Sequence, residues 1–370
     1  MNVLMTADTV GGVFTHALEL SGALGRRGVR VALATKCGVL SDGQWSEARR
    51  VPGLEIFESA DRLEWMEEPW EDVARSSSWL LDLADRLRPD IVHLNDYAHG
   101  SLPFEAPALV VAHSCVFSWF EAVRRERPPT SFDRYHQEVA RGLAGASMVV
   151  TPTRWMLEAI RRHYGTVARA RVIPSGRSAA RFLPGEKEPM VICAGRLWDA
   201  AKNVAALDAV AASLPWPVLL AGEEEPPDQA HRGAARSRHA RPLGRLAPEA
   251  LACFLSRASI YALPARYEPF GLSVLEAALA GCALVLGDIP SLRETWEGAA
   301  LFVDPESPAM LRKLLAELMR RPDQCAALGA RARAQALTLS PTRMAESYLA
   351  AYQDVLAARA APAQEGTSAP

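Results

Sequence analysis

VLMTADTVGGVFTHALELSGALGRRGVRVALATK, residues 3–36, decides the architecture. Val3 to Thr6 is a short apolar run, followed by a Gly11-Gly12 turn. Ala17, Leu18, Ser21 and Leu24 then recur on one face of a helix. Arg26-Arg27-Gly28 supplies a basic last turn closed by glycine, and Val29 to Ala34 is the next largely apolar run. The unit is strand, glycine loop, helix, strand. The pattern repeats along the chain, with a helix around Trp79, Leu80, Leu83, Ala84 and Leu87, then strands at Ile91–Leu94 and Ala108–Ala112. A helix at 132–144, a strand at Met148–Thr151 and a helix ending near Tyr164 follow. Largely apolar strands alternating with helices predict a parallel sheet covered on both faces.

Arg181 to Pro189 is rich in proline, glycine and charge, and residues 181–189 read as an interdomain linker. A second alternation follows, with strands at Met190–Ala194, Pro217–Ala221, Ser259–Leu263, Ala283–Leu286 and Ala300–Val303. Helices are expected between them at 203–212, 248–256 and 270–280. Residues 223–246 carry no assignable pattern. From Ser307 the chain reads as helical, with Leu311, Leu314, Leu315 and Leu318 on one stripe, and the tail from Ala361 as disordered. The fold expected is α/β, two doubly wound domains of similar size.

With 370 residues, 49% hydrophobic and 23% charged, the chain is long enough for two to three cored domains. A net charge of -2 argues against a general nucleic-acid binder. No run approaches the ~20 apolar residues of a membrane span, and Met1-Asn2-Val3-Leu4-Met5 lacks the basic start of a signal peptide, so a cytoplasmic protein is expected. The six cysteines are scattered and read as small core residues in a reducing compartment. Only Lys36, Lys187, Lys202 and Lys313 are lysines among 41 cationic residues, which singles out a lysine inside a motif.

In doubly wound sheets ligands bind beyond the carboxyl ends of strands, and four stretches fall there. Gly11-Gly12 can receive phosphate on backbone amides, or can be a plain turn. Its spacing is not the dinucleotide fingerprint, and no acid ends the second strand. Gly195-Arg196-Leu197-Trp198-Asp199-Ala200-Ala201-Lys202-Asn203 sets a guanidinium and an ammonium before a helix, able to clamp a diphosphate or to stand as solvated surface cations. Tyr267-Glu268-Pro269-Phe270-Gly271-Leu272-Ser273-Val274-Leu275-Glu276-Ala277 places Ser273, Glu276 and Ala280 on one stripe and leaves free amides at its Pro-Phe-Gly entrance. Glu268 could be a helix cap and Glu276 an exposed residue. Lastly, Phe117-Ser118-Trp119-Phe120 with Arg124-Arg125-Glu126-Arg127 could lie on a membrane or grip a lipid-linked acceptor, or simply pack its aromatics inward.

The Glu, seven residues, Glu arrangement from Glu268 to Glu276, together with Gly195-Arg196 and Lys202-Asn203, resembles the retaining GT-B glycosyltransferases of family 4. Gly11-Gly12, His16 and Leu20 at the front, Val172-Ile173-Pro174-Ser175-Gly176, and Asp304-Pro305 extend the resemblance. Similar enzymes usually carry Asn-Gly at Ser175-Gly176 and a glycine-richer turn at Gly222-Glu223-Glu224-Glu225-Pro226. The resemblance implies two Rossmann-like domains facing across a cleft: an acceptor domain over 1–180 and a nucleotide-sugar donor domain over 190–340. A helix at 341–360 would pack back on the first domain.

The same resemblance implies site roles. Arg196 and Lys202 would hold the donor diphosphate, assisted by amides around Phe270-Gly271-Leu272 and by Gly11-Gly12. Glu268 would bind hydroxyls of the transferred sugar, Glu276 those of the ribose, and His113 would lie near the transferred sugar. The expected partners are a nucleotide sugar and a carbohydrate or lipid-linked acceptor, with membrane contact through Trp119, Phe120, Arg124 and Arg125. No Asp-x-Asp metal motif is present and no metal or other cofactor is expected. The rival expectations are a nicotinamide-dependent oxidoreductase, a nucleotide-sugar epimerase or hydrolase, and a non-catalytic sugar-binding module.

Overall fold

The computed structural model describes residues 1–225 and 237–360, so expectations for the tail from Ala361 and for the middle of the unassigned stretch lie outside the described residues. Two all-parallel sheets are present. The first contains β1 (Asn2–Asp8), β2 (Arg30–Lys36), β3 (Glu55–Glu58), β4 (Ile91–Leu94), β5 (Ala108–Val111), β6 (Met148–Thr151) and β7 (Ala170–Val172), in the order β3-β2-β1-β4-β5-β6-β7. The second contains β8 (Glu188–Ala194), β9 (Val218–Ala221), β10 (Arg241–Gly244), β11 (Ala258–Leu263), β12 (Ala283–Gly287) and β13 (Leu301–Val303), in the order β10-β9-β8-β11-β12-β13. Strands β4, β5 and β6 are buried at every residue, as a sheet covered on both faces requires. Strand order reverses between β1 and β4 and between β8 and β11, which opens a crevice at the carboxyl end of each pair.

The helices are α1 (Gly12–Gly25), α2 (Asp42–Ala48), α3 (Trp70–Leu87), α4 (Val116–Val123), α5 (Asp133–Gly145), α6 (Arg154–Tyr164), α7 (Val204–Ala211), α8 (Pro248–Arg257), α9 (Leu272–Leu279), α10 (Pro290–Trp296), α11 (Pro308–Met319), α12 (Pro322–Ala336) and α13 (Pro341–Ala360). In α1, Ala17, Leu18, Ser21 and Leu24 are all buried. Several differences from the sequence expectations have local causes. Helix α2 and strand β3 were not expected, since α2 is seven residues long and β3 is a four-residue edge strand with no fully buried residue. Strand β10 occupies part of the unassigned stretch, again on an edge. The stretch 181–189 is not all linker: β8 starts at Glu188, Phe182 joins the second core, and Lys187 Nζ donates to the Ala280 carbonyl at 2.7 Å. Cys253 is exposed and Cys37 only half-buried, so not all the cysteines are core residues.

The chain passes between the domains twice, and the two passages touch. The Arg177 amide donates to the Leu339 carbonyl at 3.1 Å, and the Gly176 amide faces Met344 Sδ at 3.2 Å. Beyond the second passage, α13 places Met344, Ala345, Tyr348, Ala351, Tyr352 and Val355 in the core of the first domain, packed on α1. The domains also meet where Thr153 Oγ1 donates to the Pro269 carbonyl (3.1 Å). Glu294 accepts there from the amides of Arg154 (2.8 Å) and Trp155 (3.0 Å), which closes α6 onto α10.

Candidate active site

Helices α1 and α9 both begin on a glycine in the left-handed region, Gly11 at φ 89° and Gly271 at φ 90°. An L side chain would be strained at either position. No side chain caps either N-terminus and neither first turn carries an acid, so the leading N–H groups remain available to an anion. The two helix starts face each other across the domain boundary: a methyl group added to Gly12 would lie 3.0 Å from Leu272 Cδ1, and one on Gly11 would lie 3.8 Å from Arg196 Nη1. Gly11, Gly12, Arg196, Gly271 and Leu272 therefore come together as expected. Phe270 is at the same place, but its ring is buried in the second core, so only its backbone can serve a ligand.

The loop after β8 is internally braced. Arg196 is 37% exposed, donates from Nη2 to Asp199 Oδ2 at 3.0 Å, and lies over the Trp198 ring. Asp199 also accepts from the Ala201 amide (2.9 Å) and from Trp119 Nε1 (3.0 Å). Burial pushes its carboxyl up, but Arg196, Lys202 and the bonds from the Ala201 amide and Trp119 together leave it below the ordinary value. Asn203 Nδ2 donates to the carbonyls of Pro264 (3.0 Å) and Pro305 (2.8 Å), which ties this loop to the one after β11 and to Asp304-Pro305. Lys202 Nζ and Glu268 Oε2 form a mostly buried ion pair, so the expected phosphate ligand and the expected sugar ligand meet at one point.

His113 follows β5, half-buried, with Nε2 2.7 Å from Asn95 Oδ1. Asn95 Nδ2 donates to the Thr6 carbonyl at 2.6 Å, so Oδ1 is the acceptor and the His113 proton sits on Nε2. Burial lowers its pKa to about 4, so the ring is neutral near pH 7. The His16 ring meets it edge-on at 4.8 Å, and His16 Nδ1 is 3.0 Å from Ser175 Oγ. His93 pairs with the Tyr352 hydroxyl at 2.6 Å, and burial, aided by His113, drops its pKa to about 3.

Two alternatives left open by the sequence are narrowed. Helix α9 is buried from Val274 to Leu279, so the stripe of Ser273, Glu276 and Ala280 does not present Glu276 as an exposed residue. Glu276 is itself buried, and its Oε1 accepts from Arg177 Nε (2.8 Å) and Nη2 (2.7 Å). Burial raises its pKa and Arg177 opposes the rise. The aromatic half of the expected membrane patch faces inward. Trp119 reaches across to Asp199, and Phe120 packs on Phe132 with ring centroids 5.7 Å apart. Only Arg124 and Arg125 of that set are exposed.

Two family models match the chain in tandem, Glycosyltransferase Family 4 over residues 10–181 and Glycosyl transferases group 1 over residues 177–335. The chain is a glycosyltransferase of the GT-B fold. A glycogen synthase of Mycobacterium tuberculosis is 29% identical over 321 residues, covering 77% of this chain and 76% of its own. Among solved structures, sucrose-phosphate synthase from Thermosynechococcus elongatus has a TM-score of 0.80 at 19% identity, covering 97% of this chain and 100% of its own. Anabaena HepE, in complex with UDP-glucose, has a TM-score of 0.76 at 14% identity, covering 96% of this chain and 100% of its own.

The nicotinamide-dependent oxidoreductase reading falls with these matches. Four residues to which the sequence reading gave no role contact or brace these candidates. Asp199, three residues after Arg196, orients the guanidinium. Asn95 orients His113 from the polar turn that ends β4. Tyr267, beside Glu268, accepts from the Cys115 amide at 3.1 Å and bonds Ser118 Oγ at 2.9 Å, which docks α4 on the second domain. Arg177 holds Glu276 from 99 residues away, and no local spacing signals that pair. Among the described residues, no group of three or more His, Cys, Asp or Glu is arranged to hold a metal ion, and no helix is long and apolar enough to cross a membrane.

Proposed function

We propose that this glycosyltransferase takes a sugar from a nucleoside diphosphate donor held mainly on the second domain. It passes the sugar, with retention of anomeric configuration, to a carbohydrate or lipid-linked acceptor on the first. The supporting observation is the convergence of two uncapped helix N-termini with Arg196 and the Lys202–Glu268 pair at one point of the cleft. Departure of a nucleoside diphosphate builds negative charge, and preorganised cations and amides in a desolvated cleft stabilise it as it forms. The donor diphosphate would draw Lys202 partly from Glu268 and free that carboxylate for sugar hydroxyls, beside the positive charge that develops on the ring. His113 uses Nε2–H on Asn95, so it offers Nδ1 as an acceptor for a hydroxyl. That HepE was crystallised with UDP-glucose supports a nucleotide-sugar donor.

Arg196, Lys202 and the helix amides already meet the leaving group, so the reaction is proposed to need no metal. Chelation with EDTA should leave the rate within about twofold, and loss restored by Mn²⁺ or Mg²⁺ would sink that part of the proposal. The free cysteines suit a reducing, cytoplasmic setting. The exposed Arg124 and Arg125 are the remaining candidates for contact with an anionic membrane.

The deciding experiment is a panel of UDP-, GDP- and ADP-sugars scored by nucleoside diphosphate release with and without acceptors, followed by NMR of the product anomer. Acceptor-dependent release with retained configuration is expected. Release that ignores every acceptor would favour a hydrolase, and an inverted product would refute retention.

A further inference from the structure

Arg177 lies between two carboxylates contributed by different domains, and its side chain is 4% exposed. Its Nη1 donates to Glu19 Oε1 at 2.7 Å, while Nε and Nη2 take Glu276 Oε1 at 2.8 and 2.7 Å. The Glu19 and Glu276 side chains are only 11% and 10% exposed. Glu19 stands on the third turn of α1 and Glu276 on the second turn of α9. These are the two helices whose uncapped N-termini face each other through Gly12 and Leu272. Arg177 is fixed in turn from behind: its amide donates to the Leu339 carbonyl where the two passages between the domains touch, and its guanidinium lies over the Phe182 ring at 5.1 Å.

A surface ion pair would carry little meaning, but a buried guanidinium with both ends of its fork on carboxylates has a fixed geometry that a point charge cannot reproduce. Other contacts already hold the domains together at Thr153, Glu294 and Tyr267. What Arg177 adds is local: it sets α1 against α9, and so sets the spacing between the two groups of amides at their starts. It also directs the Glu276 carboxylate, because both of its contacts fall on Oε1.

We propose that Arg177 is a positioning residue that joins α1 and α9 into a single cradle for the donor's diphosphate and aims Glu276 at the nucleoside. The proposal rests on the nucleotide-sugar reading above. It makes Glu19, which lies on the first domain and touches no proposed ligand group, part of the donor affinity of the second.

The test uses the full chain with two conservative variants. Glu19→Gln keeps Arg177 paired with Glu276 and leaves α1 only a neutral hydrogen bond to it, while Arg177→Lys keeps the charge and loses the fork. The KM for the donor and kcat are measured at saturating acceptor, and binding of UDP, GDP and ADP by calorimetry. Each variant should raise the donor KM and weaken the bound nucleoside diphosphate roughly tenfold, the effect of one charge-assisted contact. The change in kcat should be smaller and the acceptor KM unmoved. The double variant should be no worse than the poorer single one, because both cut the same bridge. A lowered melting temperature with donor KM and diphosphate affinity within twofold of wild type would show that the triad is only structural and overturn the proposal. If the wild type binds none of the three diphosphates, the donor reading itself fails and takes this proposal with it.

Discussion

Glu268 and Lys202 neutralise each other in the cleft, which gives the two substitutions opposite signatures. Glu268→Gln removes a charge at the expected sugar position and almost no volume. It should abolish nearly all transfer while leaving nucleoside diphosphate binding as tight or tighter, since Lys202 is then unopposed. Retention of more than a tenth of wild-type turnover would count against a role at the sugar. Lys202→Ala should instead weaken the diphosphate by roughly 1.5–3 kcal/mol and the bare nucleoside hardly at all, and equal losses for both would argue against phosphate contact. The buried histidines bear on pH. His93 has a folded-state pKa of about 3 against an ordinary 6.5, so the unfolded chain binds that proton first. Its contribution therefore lowers stability as pH falls from 6.5 towards 3, by ~1.4 kcal/mol for each pH unit at most. His93→Gln should cost about 1 kcal/mol at pH 7.5 through the lost Tyr352 bond. It should then gain on the wild type as pH drops to 4.5, read by urea denaturation at both pH values. A gap that stays constant would show that His93 is not held neutral.

The passages between domains give the element-scale prediction. A methyl on Gly176 would collide with the Ser340 carbonyl and lie 2.7 Å from Pro341 N, all of it backbone with no side chain to swing away. Gly176→Ala should cost about 1–3 kcal/mol and displace α13 from α1. Gly22→Ala, inside α1 with only ordinary contacts, should instead stabilise by roughly 0.5–1 kcal/mol. Comparable melting temperatures for the two variants would refute the account of the crossing. Elements were legible in the sequence in proportion to how fully they are buried. Central strands such as β4, β5 and β6 announce themselves as short, largely apolar runs. The edge strands β3 and β10 have half-exposed residues and no period to read. Helix α2 could have been found from Ser41 and Gln44, which form a capping box. The site was legible where chemistry is local, as in Gly11-Gly12, Arg196 to Asn203 and Glu268 to Leu272, because glycines and cations at strand ends have few other reasons to cluster. The partners that orient those residues were not, since Asn95 on His113, Trp119 on Asp199 and Arg177 on Glu276 are joined only by the tertiary fold.

At the scale of the molecule, the domains are tied at the two touching passages, by α13 returning to the first core, and by the contacts Trp119 makes with Asp199 and Thr153 with Pro269. A ligand that bridges α1 and α9 should therefore stabilise both domains, and thermal unfolding is the measurement that reads it. A ligand that binds only the folded state, at a hundredfold excess over its dissociation constant, adds about 2.7 kcal/mol. For domains of about 150–250 residues each kcal/mol raises the melting temperature by roughly 2–4 °C, so a shift of about 5–11 °C is expected. One of UDP, GDP or ADP should produce it, and NAD and NADP should produce none. The matching nucleoside should shift the transition little, because the proposal assigns the amides of α1 and α9 and the cations Arg196 and Lys202 to the diphosphate. Arg196→Ala should then remove most of the difference between diphosphate and nucleoside. If the domains melt separately, a bridging ligand should draw the two transitions together, whereas a ligand confined to the second domain should move only one. A response to NAD that survives Arg196→Ala, with none to any nucleoside diphosphate, would overturn the assignment of this cleft to a nucleotide-sugar donor.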